Sequence, residues 1–134
     1  MRATLSVLVA GLGLLWSAAP VIAHHSFTAE YDVNKAVTLK GVVTKIEWTN
    51  PHARFYIDVT DETGTVTNWN FELASVNMLV RNGWTRKSLN PGDRVTVKGY
   101  LARASADKTK ANATEVTLAD GRVVFAGPAA KNNP

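Results

Sequence analysis

Apolar and polar residues alternate in short blocks divided by turn residues through most of this chain, and a period of two commits those blocks to strands. Ala53, Phe55, Ile57 and Val59 alternate with Arg54, Tyr56, Asp58 and Thr60. After the turn Asp61-Glu62-Thr63-Gly64, Thr67, Trp69, Phe71 and Leu73 alternate with Asn68, Asn70 and Glu72. Beyond Pro91-Gly92-Asp93, the residues Val95, Val97, Gly99 and Leu101 do the same against Arg94, Thr96, Lys98 and Tyr100. A last strand is expected around Thr114 to Leu118, and Asp120-Gly121 then turns the chain into Val123 to Phe125.

The first block, Val37 to Trp48, changes phase at Val42-Val43 beside Gly41, as a bulge in a strongly coiled strand would require. Ser75 is placed to cap a short helix through Val76, Met78, Leu79 and Val80, which Asn82-Gly83 ends. Three meandering strands, a short helix and two more strands follow the order of an all-β, five-stranded Greek-key barrel of the OB type, with the helix between strands 3 and 4. A small antiparallel sandwich would use the same alternation; the helix position favours the barrel. The expected core is Val43, Ile46, Phe55, Ile57, Trp69, Phe71, Val95, Val97 and Val116. Tyr31, Tyr56 and Trp84 are expected on exposed rims.

Residues 1–23 have the three parts of a secretory signal: Arg2, an apolar run from Leu5 to Trp16, and small residues at Val21 and Ala23. Cleavage after Ala23 is expected and would make His24 the new N-terminus. The apolar run is shorter than the roughly 20 residues that span a bilayer, which argues against an uncleaved anchor, and no membrane association is expected after cleavage. The organisation that follows is a leader 1–23, an N-terminal arm 24–36, a barrel 37–127 and a disordered tail 128–134, in a periplasmic or secreted protein. Losing Arg2 leaves 14 basic against 11 acidic side chains, a net of +3. That charge is mild and dispersed, and the expectation drawn from it is no nucleic-acid partner. With no cysteine in the sequence, disulfides, thiolate metal sites and thiol catalysis are excluded.

Several segments together carry a resemblance: His24-His25-Ser26-Phe27, Glu30-Tyr31-Asp32, Glu47-Trp48-Thr49-Asn50-Pro51-His52, Asn68-Trp69, Gly83-Trp84 and Pro91-Gly92-Asp93. In these the chain resembles a family of small exported bacterial proteins of unknown function. The resemblance implies a periplasmic, barrel-like domain and supplies no activity.

Chemistry is therefore argued from the histidines. A terminal His24 offers its amine and its ring nitrogen as a chelate, and a ring from His52 would complete a T-shaped set, with His25 as a substitute or additional ligand. Nitrogen donors without thiolate suit Cu(II), which heads the divalent affinity order. The ligand set resembles a histidine brace, a likeness of chemistry and not of fold. An extended arm of 12 residues from His24 to Ala36 covers about 40 Å, against roughly 36 Å for the first strand along which it would run back to His52. His52 could equally hydrogen-bond its turn or pack beside Trp48. Glu47, Glu72 and Asp32 are candidate oxygen ligands, though solvated strand or loop charges are the plainer reading. Trp48, Trp69 and Trp84 read as core and rim aromatics. No Ser/His/Asp order, phosphate loop or metalloprotease helix occurs, so a binding protein is expected rather than an enzyme. Its partners would be a copper ion or another small ligand, and an envelope protein; the alternative is a metal-free barrel module.

Overall fold

Among the described residues the elements from Tyr31 onward are, in chain order, β1 Tyr31–Glu47, β2 Arg54–Thr60, β3 Val66–Glu72, α1 Val76–Arg81, β4 Arg94–Ala102, β5 Lys110–Leu118 and β6 Val123–Ala126. They belong to a computed structural model that describes residues 27–103 and 107–127. The expected leader 1–23, His24, His25 and the tail 128–134 lie outside the described residues. The chain divides into two units, 1–30 and 31–134. In the first, residues 27–30 make one helical turn; the second contains every strand and α1.

The turn between β2 and β3 is tied by one carboxylate. Asp61 Oδ1 accepts the backbone N–H groups of Thr63 and Thr65, both at 2.9 Å, and Gly64 supplies a left-handed residue at φ 85°. This closure sets the register, with Arg54 opposite Glu72, Phe55 opposite Phe71 and Ile57 opposite Trp69. The Phe55 and Phe71 rings stack with centroids 5.5 Å apart.

β1 serves two neighbours. Its second half pairs antiparallel with β2 and its first half with β4. The register slips between Val43 and Lys45, so Thr44 is the extra residue of a bulge just beyond the phase change seen in the sequence. β4 continues antiparallel onto β5, and the start of β5 runs parallel to the end of β3, Asn70↔Lys110 through Glu72↔Asn112. Strands β1, β2, β3, β5 and β4 thus form a closed circuit of pairings. At Gly99 a Cβ would lie 1.9 Å from the Asn112 carbonyl oxygen, so this β4–β5 approach requires glycine.

Three expectations are revised. The strand count is six rather than five, because Val123–Ala126 pairs with β5 as a further strand. The first strand begins at Tyr31, six residues before Val37, so residues 31–36 belong to β1 and not to a free arm. Tyr31 and Trp84 are buried, at 1% and 7% exposure, rather than standing on a rim. Trp84 Nε1 donates to the Val124 carbonyl at 2.6 Å and its ring meets Phe125 edge-on. Helix α1 lies between β3 and β4, capped by Ser75 Oγ accepting the Met78 N–H at 3.2 Å.

Of the expected core, Val43, Phe55, Ile57, Phe71, Val95, Val97 and Val116 are buried. Ile46 and Trp69 are partly buried and pack against that cluster, to which the fold adds Leu73, Leu79, Leu89 and Trp84.

Candidate functional site

Alternation along β2 and β3 puts Arg54, Tyr56 and Asp58 on the same face as Glu72, Asn70 and Asn68. That face is solvated at the turn end and closed at the other. Glu72 is 5% exposed, which revises its reading as a solvated strand charge. His52 Nδ1 lies 2.7 Å from Glu72 Oε1. The Tyr31 hydroxyl donates to Oε2 at 2.9 Å, and Arg54 Nη2 donates to the same oxygen. Arg54 Nη1 also donates to Asn70 Oδ1 at 3.2 Å. Two hydrogen-bond donors and the adjacent His52 ring around one carboxylate offset the loss of water that burying it entails.

Each partner reaches Glu72 for a local reason. Arg54 stands directly opposite it across the β2–β3 ladder. Tyr31 opens β1, and Lys110 Nζ sits 5.9 Å from the centre of its ring. His52 ends the β1–β2 connection, where the Asn50–Pro51 peptide is cis. The next residue is held to the end of β3, since Ala53 N–H donates to the Ala74 carbonyl and Leu73 N–H to that of Ala53. The side chain of His52 therefore leaves a fixed backbone.

The contact sets the Nδ1 edge of the His52 ring against the carboxylate and turns the Nε2 edge away from it. Nε2 makes no hydrogen bond among the described residues, and the His52 side chain is 49% exposed. Imidazole ligands of metals commonly have a carboxylate beside the inner nitrogen and the metal at the outer one. Among the described residues, no three His, Asp or Glu side chains are grouped to hold a metal.

Of the expected ligands, His52 is described, and His24 and His25 lie outside the described residues. Glu47 belongs to a neighbouring network. It accepts from Lys45 Nζ at 2.5 Å and from the Tyr56 hydroxyl at 3.3 Å. The Lys45 bond holds the Glu47 carboxyl below its ordinary range, whereas partial burial and the Glu47 charge raise the Tyr56 phenol. Asp32 faces Arg103 at 3.5 Å and Lys35 at 4.0 Å. Tyr31 and Arg54 carried no expectation as site residues. The Arg54–Glu72 pair was within reach of sequence, since folding the hairpin about Thr63 sets these two opposite; the Tyr31 contact spans 41 residues and has no local signal.

A family model described as a family of unknown function, DUF6152, matches residues 12–111. No curated protein matches the chain significantly. Among solved structures, mitochondrial single-stranded DNA-binding protein Rim1 of S. cerevisiae is similar at a TM-score of 0.48 and 10% identity, over 63% of this chain and 93% of that one. The N-terminal domain of PriB from Thermoanaerobacter tencongensis is similar at 0.48 and 25% identity, over 63% and 96%. The expected exclusion of nucleic acid is corrected: similar chains include one that binds single strands, and charge dispersed along a sequence need not be dispersed on a surface. Strand pairing brings Lys40 and Arg94, far apart in the chain, into one concavity. With the matched segment covering most of its length, the chain belongs to the DUF6152 family of unknown function.

Proposed function

We propose that this is an exported binding protein of the cell envelope that takes Cu(II) on His52, with the amine and ring of His24 and the ring of His25 as the further nitrogen donors. The observation that carries the proposal is the 2.7 Å contact between His52 Nδ1 and the buried Glu72 carboxylate. It sets one edge of the ring against a buried carboxylate and leaves the Nε2 edge for a metal, and preorganised ligands distinguish a site from adventitious binding. The circuit β1-β2-β3-β5-β4 supports an OB-type barrel, in which ligands gather at the loop after the first strand, where His52 stands. The leader pattern of residues 1–23 supports export and a terminal His24.

Replacing His52 with Ala is expected to weaken Cu(II) affinity by about tenfold or more, about 1.4 kcal/mol, and to change the electron-resonance spectrum of the bound ion. One extra residue ahead of His24 should do the same by removing the terminal chelate. Competition titration of the exported protein measures both. If His52→Ala retains affinity and spectrum, the reading fails in favour of a metal-free module that binds a protein or small ligand.

A further inference from the structure

A second polar feature lies on the outer surface of β2, β1 and β4. Pairing places Asp58, Val42 and Arg94 in one row across the three strands, and Lys40 beside Thr96 in a row two residues away. Adjacent strands are about 4.8 Å apart and the rows about 7 Å, so Lys40 and Arg94 are diagonal neighbours. Thr60 of β2 completes the wall. Together these residues line a concavity of about 380 Å³. Its floor is the close approach of β1 and β2 at Gly41, where a Cβ would lie 2.5 Å from the Asp58 carbonyl oxygen.

The charges here do not cancel in pairs. Lys40 and Arg94 make no ion pair among the described residues. Asp58 is the nearest acid in register, but the whole of β1 separates it from Arg94, and its Oδ1 accepts from Asn68 Nδ2 at 2.7 Å on the β3 side. Two cations and two threonine hydroxyls therefore line one open hollow, with one carboxylate, Asp58, at its β2 side bonded to Asn68.

We propose that this concavity binds a phosphoryl group. The guanidinium of Arg94 presents parallel N–H donors that match two oxygens of a tetrahedral oxyanion, Lys40 supplies a compact charge to a third, and Thr60 and Thr96 supply hydroxyl donors. A carboxylate has two oxygens and would use the fork alone. The site is independent of His52 and of any metal. Its phosphoryl group comes either free in solution or on the backbone of a single strand, and the two are distinguishable.

The test is amide NMR of the full protein, titrated with inorganic phosphate and, separately, with single-stranded oligothymidylate, at matched ionic strength and again at higher salt. Saturable shifts are expected at Lys40, Gly41, Arg94 and Thr96, with Lys40→Gln and Arg94→Gln each weakening binding by about tenfold, the scale of losing a charge-assisted contact. Arg86→Gln, at an exposed cation outside the concavity, should change nothing. Tighter binding of the oligonucleotide with a steep salt dependence identifies a strand as the source; saturation by phosphate alone identifies the free ion. No saturable shift with either ligand, shifts confined elsewhere, or full affinity in the double variant would overturn the proposal. All of these side chains are on the outer face, so melting temperatures close to that of the parent confirm that the variants remain folded.

Discussion

Glu72 is buried because its partners arrive from three separate segments, and no one of them would suffice. Arg54 comes from the facing strand, His52 from the connection before it and Tyr31 from the start of β1. Exchanging the carboxylate for an amide keeps its shape but sets an N–H₂ against at least one of these donors. Glu72→Gln is therefore expected to destabilise the fold by about 1–3 kcal/mol, the cost of leaving a buried polar group mismatched. Denaturant unfolding monitored by tryptophan fluorescence measures it, and an unchanged midpoint would show that these three partners do not depend on the charge. Loss of the fixed ring at His52 should accompany it, so the same variant is expected to weaken copper uptake.

At the scale of elements, the β2–β3 hairpin and α1 differ in how much of their order is local. The hairpin carries its own register in the Asp61 turn and in cross-strand pairs such as Phe55 with Phe71. Helix α1 has six residues and one buried side chain, Leu79, too few to be stable alone. Its definition depends on the caps: Ser75 at the start, then Asn82 and the left-handed Gly83 at the end. Ser75→Ala is expected to cost about 1 kcal/mol while leaving the strand signal in circular dichroism intact. A loss of strand signal in that variant would mean that α1 organises the β3–β4 connection rather than merely occupying it.

For the whole molecule, closure of the strand circuit joins residues that lie far apart in sequence, whereas the response of stability to pH comes from local contacts of turn carboxylates. Thr63 holds the Asp61 carboxyl low, Thr109 does the same for Asp107 and Arg122 for Asp120. A carboxyl whose folded value lies below its unfolded one contributes stability above the unfolded value and loses it as pH falls through the folded one. The melting temperature is thus expected to hold between neutral pH and about 5 and to decline below about 4, near and under the ordinary carboxylate range. A melting temperature that rises on acidification would contradict this. The sequence by itself determined the strands, because alternation at Phe55, Ile57, Val95 and Val97 is a local consequence of one face being buried. It also determined the brief helix, through Ser75 and Asn82-Gly83, and the bulge near Val43. Only the tertiary structure decided that Glu72 is buried, that Tyr31 is a strand residue touching it, and that Lys40 and Arg94 share a hollow. Those facts depend on which strands become neighbours, which no local pattern of side chains encodes: β1 pairs with β2 and β4 at once, and β5 returns to β3 across the gap. His52 shows the division within one residue, since its place after a turn was legible from Asn50-Pro51, whereas its contact with a carboxylate 20 positions on required the hairpin to fold first.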